Sequence, residues 1–394
     1  MGTFAAVTTA QGTGAISTVE VIGDGAAALI QRIFEPAGTR PANLEPGKIL
    51  LGTITNGAKT VDQVVLGCAD TGDFAINCHG NPLIVEMIME LLQNKGAELI
   101  PAEQLLAKRL STQKGLNTIA AEAKLAQAKA MTLEGTKIIL NQIQAGLNNK
   151  ARRWLENIDR IGLDQIRAEA EQILSDSRTA KLIISGCTAV ITGPPNSGKS
   201  TLLNYLCGRQ KAIVTDIRGT TRDWVSARCQ IGPISVEFID TAGLDQSLTE
   251  SPDSEVARAA QQRAVELLGN ADLVLLVLDN SEPTSQLDDA ALQIVAGKKM
   301  LTLINKCDLP PRLQSNELPP ILKDPVRISA KFGTGIETLI KKIPRICGAA
   351  DFDSKSAVSV TERQENLLKR LLKAESTQAA ASIIRELLNG PLNV

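Results

Sequence analysis

Gly193-Pro194-Pro195-Asn196-Ser197-Gly198-Lys199-Ser200 fits the pattern GxxxxGK[ST]. The apolar run Thr188–Thr192 precedes it and the helical run Ser200–Cys207 follows it, which is the strand–loop–helix context such a loop needs. Glycines let successive backbone N–H groups turn inward around phosphate oxygens, and the start of the next helix adds the positive end of a dipole. Lys199 brings a charge to the β- and γ-phosphates, and the Ser200 hydroxyl offers a hard oxygen to Mg²⁺. The stretch predicts a nucleotide site, with Asn196, Ser197, Gly198, Lys199, Ser200 and Thr201 at the phosphates.

The flanking sequence supplies a matching fold. Strands are expected at Thr188–Thr192, Val225–Ile231, Ser235–Ile239, Leu273–Asp279, Met300–Asn305 and Val326–Ser329. Helices are expected after Lys199, around Ser254–Leu268, at Gln286–Ala296 and at Ile336–Ile343. Alternation of this kind gives a mainly parallel, doubly wound sheet. Residues 102–182 are poor in Gly and Pro and carry apolar residues at helical spacing (Ile119, Ala123, Ala126, Ala130; Ile158, Ile161, Ile166, Ala170, Ile173), which reads as two or three long helices. Helical periodicity returns over 360–388. Residues 1–101 show short strands and two helical patterns, Ala26–Phe34 and Pro82–Lys95. The fold class expected is multidomain α/β plus α. An N-terminal α/β domain (1–101) is followed by a helical domain (102–183 and 349–394), into which a P-loop domain (184–348) is inserted.

Four further motifs follow in order. Asp240-Thr241-Ala242-Gly243 ends an apolar strand, where Asp240 can reach Mg²⁺ and the Gly243 N–H can meet a γ-phosphate. Gly219-Thr220-Thr221-Arg222-Asp223 is a candidate switch segment, with Thr221 closing over Mg²⁺ when triphosphate is present. Asn305-Lys306-Cys307-Asp308 follows a strand; a carboxylate at Asp308 accepts both the N1–H and the 2-amino group of guanine, a donor pair that adenine lacks. Ser329-Ala330-Lys331 follows the last strand, and the Ala330 N–H can meet guanine O6. Together these predict binding of GTP and GDP and Mg²⁺-dependent hydrolysis. Leu244, next after Gly243, cannot orient a water, so another group must do so. Asn196 can hold a monovalent cation beside the phosphates, or merely stabilise the loop. The catalytic set expected is Lys199, Asn196, Thr221 and Gly243, with Ser200, Thr221 and Asp240 on Mg²⁺.

Composition bounds the alternatives. The 394 residues are 43% hydrophobic, 22% charged and only 2% aromatic, so the cores must be aliphatic. A formal net charge of −1 removes any global electrostatic argument for nucleic acid or membrane binding. A basic cluster at Lys150, Arg152 and Arg153 could touch a phosphate backbone, although a solvated helix face is the plainer reading. Seven scattered cysteines with no CxxC pair, and the single histidine His79, argue against a zinc site or a disulfide framework. No signal peptide or membrane span is expected, and the cytoplasm is the default location.

Pro195–Asn204, Ala212-Ile213-Val214-Thr215-Asp216 leading into Gly219–Asp223, and Ile239–Leu244 resemble the TrmE/Era-type GTPases, and among them the MnmE (TrmE) family of tRNA-modification GTPases. The resemblance implies a homodimer formed through the N-terminal domain, a folate bound there, and K⁺ held by Asn196 with the segment Thr215–Thr221. It further implies conversion of a wobble uridine in tRNA together with a flavin-dependent partner protein. Three departures stand out. The family ends in Cys-x-Gly-Lys, whereas this sequence ends Leu392-Asn393-Val394 and has no cysteine after Cys347. Gln11–Ile16 and Cys78-His79-Gly80 match parts of the folate domain, but its Arg-x-Ser-Gly and Pro-Gly-Glu-Phe stretches are missing, which leaves folate binding open. Ala257 stands where the family has a general-base glutamate, with Glu255 nearby, which leaves room for slow hydrolysis. A second functional reading is a GTP-dependent switch or assembly module without tRNA chemistry.

Overall fold

The computed structural model describes residues 2–10, 12, 14–38, 44–209, 225–240, 266–286, 297–314, 318–322 and 324–392. The chain divides into two compact units, Met1–Ala121 with Pro391–Val394, and Glu122–Gly390.

The first unit holds β1 (Phe4–Val7), β2 (Ile16–Ile22), α1 (Ala26–Ile33), β3 (Phe34–Pro36), β4 (Ile49–Asn56), β5 (Lys59–Asp70), β6 (Asp73–His79), α2 (Pro82–Asn94), β7 (Glu98–Leu99) and α3 (Ala102–Thr112). Its seven strands pair in the order β3-β4-β5-β6-β2-β1-β7, antiparallel except for β1 with β7. Alternation drives this sheet: Val19 and Val21 of β2, and Phe74 and Ile76 of β6, point into one core with Ile30, Ile33, Ile88 and Leu92 of the two helices. α2 starts where it does because the Asn81 side chain accepts the Leu83 N–H and Pro82 occupies the first turn. The helical stretch read from residue 102 opens with α3, which joins this unit: Leu105 packs on Ala6 and Ile22, and Arg109 Nη2 lies 2.7 Å from both Glu20 and Asp73.

In the second unit the chain forms α4 (Thr118–Gln127, begun in the first), α5 (Leu133–Gln144), α6 (Gly146–Glu156), α7 (Ile158–Ile161) and α8 (Leu163–Ser185). The region read as two or three long helices is thus broken into shorter ones. The breaks have local causes. Thr132 caps α5 by accepting the Gly135 N–H, and Gly162, at φ 80°, makes the turn between α7 and α8. Next come β8 (Cys187–Thr192), α9 (Lys199–Arg209), β9 (Val225–Ile231), β10 (Ile234–Asp240), β11 (Leu273–Asp279), β12 (Met300–Asn305), β13 (Val326–Arg327), α10 (Ile336–Ile346), α11 (Glu362–Leu372) and α12 (Thr377–Asn389). The helices expected around Ser254–Leu268 and at Gln286–Ala296 fall largely outside the described residues.

The six strands run β13-β12-β11-β8-β10-β9, all parallel except β9, which pairs antiparallel with β10. Every residue of β11 is buried, as expected for a central parallel strand covered on both faces. The registers place Asp240 beside Ile191 and Asp279 beside Asn305, so the polar ends of several strands meet at one edge of the sheet.

α11 and α12, although distant in sequence, pack on α8 and α6. A buried carboxylate fixes this arrangement. Glu122 of α4 is 2% exposed and accepts from Arg363 Nε (2.7 Å), Arg363 Nη2 (2.8 Å), Gln364 Nε2 (2.7 Å) and Thr361 Oγ1 (3.1 Å). Arg363 also donates to the carbonyls of Glu386 and Leu387 in α12. All seven cysteines are free thiols, five of them buried. Removing one partner of a buried pair strands the other's charge, so Arg363→Ala is expected to lower unfolding free energy by about 3–5 kcal/mol. Urea denaturation measures this; a loss below about 1 kcal/mol would place the pair among surface-like bridges.

Candidate functional site

The phosphate-loop stretch connects β8 to α9 at the polar edge of the sheet. Its glycines are required by close approach as well as by dihedral. At Gly193 (φ 143°) a Cβ would collide with the Val277 carbonyl of β11, and at Gly198 (φ 94°) with the Asn305 side-chain amide. Asn196 sits exposed at the loop tip in the left-handed region, φ 61°. Lys199 is buried, and its ammonium donates to the carbonyls of Gly193 (2.8 Å) and Pro194 (3.0 Å), which holds it across the mouth of its own loop. The Ser200 hydroxyl donates to Asp240 Oδ2 at 2.5 Å, uniting the first turn of α9 with the end of β10. Thr201 follows, exposed.

Asn305 ends β12, and its buried side chain connects three segments. Its Nδ2 donates to the Ser197 carbonyl (2.8 Å) and its Oδ1 accepts the Ala330 N–H (2.9 Å). Lys306 then turns into the left-handed region (φ 60°) and pairs with Asp279 Oδ2 at 2.6 Å. The other oxygen of Asp279 accepts from the Ser281 N–H (2.8 Å) and hydroxyl (2.7 Å). Burial alone would raise the Asp279 carboxyl; the hydrogen bonds from Lys306 and Ser281 and the Lys306 charge outweigh it and hold the group below the usual carboxylate range. The Cys307 N–H donates to the Ile328 carbonyl, and Asp308 is exposed. Ser329 closes its own turn by accepting the Phe332 N–H, while Lys331 is exposed beside the Phe332 ring.

The structure thus brings together Ser197, Gly198, Lys199, Ser200, Asp240, Asn305 and Ala330. Thr215, Thr220, Thr221 and Gly243, with Leu244, Glu255 and Ala257, lie outside the described residues. Asp279, Asn280 and Ser281 were not singled out by motif. Their signal is an apolar strand ending in a carboxylate, and it acquires meaning once β11 is placed beside β12. Elsewhere, Lys150 of the basic cluster pairs with Glu169 (3.3 Å) and Arg152 donates to Asn148. Among the described residues there is no group of three or more His, Cys, Asp or Glu that could hold a metal, and no helix is long and apolar enough to cross a membrane.

One feature of the loop runs against stability. Ser197 Oγ is fully buried with no hydrogen-bond partner among the described residues, a situation that costs about 1–3 kcal/mol. Ser197→Ala removes the orphan hydroxyl and leaves the carbonyl that Asn305 uses. A higher melting temperature is expected; a lower one would mean that the hydroxyl is satisfied.

Comparison with known proteins agrees with this geometry. Residues 188–306 match the family model described as 50S ribosome-binding GTPase. The chain is 29% identical over 426 residues to the tRNA modification GTPase MnmE of Enterococcus faecalis, covering 98% of this chain and 88% of that protein. It is 31% identical over 407 residues to the protein of the same name from Lactococcus lactis subsp. cremoris, covering 94% and 87%. The chain binds guanine nucleotide and is a GTP hydrolase, and it belongs to the family of the tRNA modification GTPase MnmE.

Proposed function

We propose that this chain is a Mg²⁺-dependent, K⁺-assisted GTPase whose hydrolytic cycle serves modification of the wobble uridine of tRNA. The observation that carries the nucleotide part is the Asn305 amide, which bonds at once to the phosphate loop at Ser197 and to the turn at Ala330 assigned to guanine. The tRNA part rests on kinship over nearly the whole chain.

In this reading Lys199 leaves the carbonyls of Gly193 and Pro194 to meet the β- and γ-phosphates, and backbone N–H groups of the loop receive the remaining oxygens. Ser200 and Asp240 present two adjacent hard oxygens, a donor set that fits Mg²⁺, with Thr221 assigned as the third. Bound there, the ion would offset charge on the phosphate oxygens. The Gly243 N–H is assigned to the γ-phosphate, and Thr215 and Thr220 to the switch segment around the nucleotide. Asn196, exposed at the loop tip, is assigned to K⁺. Asp308 reads the edge of guanine, the Ala330 N–H its O6, and Ser329 and Lys331 support that turn. The assembly is a homodimer through residues 1–101. The GTPase segment 184–348 is inserted between the helical stretches 102–183 and 349–394, and a flavin-dependent protein acts as partner.

A groove of about 630 Å³ in the first unit is lined by residues such as Val7, Gly14, Ser17, Pro82, Glu86 and Met89, and the resemblance places folate in this unit.

Two measurements test the proposal. GTP hydrolysis at micromolar protein is expected to be faster in KCl than in NaCl by about tenfold or more, equivalent to about 1.4 kcal/mol of transition-state stabilisation. Equal rates would remove the cation from the mechanism. Nucleoside analysis of tRNA from a deletion strain is expected to show loss of the wobble-uridine modification. Unchanged tRNA would favour a GTP-dependent switch or assembly role.

A further inference from the structure

Asp279, the last residue of β11, and Asn280 after it hold the segment that follows β12. Asn280 is 2% exposed, and its main chain and side chain are both engaged. Its N–H donates to the Asn305 carbonyl (2.9 Å), and its own carbonyl accepts from the N–H groups of Arg312 (2.8 Å) and Leu313 (3.2 Å). Its Nδ2 donates to the Leu309 carbonyl (3.1 Å), and its Oδ1 accepts from Arg327 Nη1 (3.1 Å). Asn280 therefore fixes the backbone of 305–313 at both ends. Asp279 does something different, since its carboxylate reaches a side chain. One oxygen is clamped by Ser281 and the other holds the Lys306 ammonium. Main-chain bonds to the Gln286 side chain on both the N–H and the carbonyl of Asp279 fix where that carboxylate stands.

Lys306 is the long side chain next to Asn305 and two residues before the exposed Asp308. A lysine whose ammonium is anchored presents its four methylenes as a flat apolar strip, whereas an unanchored one disperses among rotamers. An aromatic base whose edge meets Asp308 needs a cover for its face. We propose that Asp279 is a positioning residue for purine recognition: with Ser281 it anchors the Lys306 ammonium so that the lysine stem covers the face of the base while Asp308 reads its edge. The inference rests on the assignment of Asn305–Asp308 as the base reader. It separates two functions within that segment. Face contact raises affinity for any purine, whereas edge contact selects guanine.

A double-mutant cycle on the full-length protein tests this, with a fluorescent GDP analogue as the probe and GTP and ITP as competitors. Asp279→Asn and Lys306→Met are each expected to weaken binding roughly ten- to a hundredfold, the range of one charge-assisted hydrogen bond. The double variant is expected to bind no worse than either single one. The GTP-to-ITP preference is expected to stay at the wild-type ratio in Asp279→Asn, because face contact does not distinguish the two edges. At saturating GTP the turnover rate is expected to be unchanged, with the loss confined to KM. Additive losses in the cycle, Asp279→Asn binding within about twofold of wild type, or a collapsed GTP-to-ITP ratio would each overturn the proposal. If Asp279→Asn does not fold, Ser281→Ala loosens the same carboxylate and is expected to give a smaller loss at the same GTP-to-ITP ratio; wild-type affinity in that variant would overturn the proposal. Asp308→Asn serves as the control for the underlying assignment. A shift of preference toward xanthosine nucleotides upholds the base reader whatever the cycle shows, and no shift removes it.

Discussion

The side-chain amide of Asn305 has one donating edge and one accepting edge, and each is committed to a different segment of the chain. Much else in the nucleotide site follows from that. The donated bond holds the Ser197 carbonyl in the middle of the phosphate loop, and it explains why position 198 must be glycine, since the amide occupies the space a Cβ would take. The accepted bond holds Ala330, three residues after the end of β13. Because the amide is buried, neither partner can exchange it for water without leaving a polar group unsatisfied. The phosphate loop at Ser197 and the turn at Ala330 are therefore tied to the same side chain.

The helical part is organised by a similar constraint of opposite chemistry. A carboxylate at Glu122 is withdrawn from water, and donors from α11 surround it. A charge so placed tolerates little freedom in its partners, because each lost hydrogen bond exposes the full desolvation cost. Sequence-distant helices are consequently held to one another by a polar specification as well as by area, in a protein whose few aromatics include the fully buried Trp154, Phe74 and Phe238.

Legibility varied with the range of the forces involved. Strands β11 and β12 could be read with their boundaries because they are nearly continuous apolar runs, and the edge strand β9 because Val225, Ala227, Cys229 and Ile231 alternate up to the Gly232-Pro233 turn. The phosphate loop was equally legible, since it is a local solution to a local problem. The helical region was harder to divide. Ala, Glu, Lys and Leu maintain helical propensity across its breaks, and the breaking signals, Thr132 and Gly162, are single residues. Least legible was Asp279. Its partner Lys306 is brought to it by the parallel register of two strands, and nothing in the local sequence around Leu273–Asp279 announces that pairing. The membership of α3 in the first unit is hard to read for the same reason, because it depends on Arg109 meeting Glu20 of β2 and Asp73 of β6.

One residue, Gly186 at φ 90°, separates the end of α8 from the start of β8, and β8 runs directly into the phosphate loop. α8 is 23 residues long, which at 1.5 Å per residue makes a rod of about 35 Å. The strand that delivers the loop and the longest described helix of the unit are thus joined through one residue, and Leu182, Ile183 and Ile184 of the helix share a buried cluster with Ala189 and Ile191 of the strand. With helix and strand in one close-packed core, a shift of the strand that carries the phosphate loop is passed into α8 rather than absorbed at Gly186.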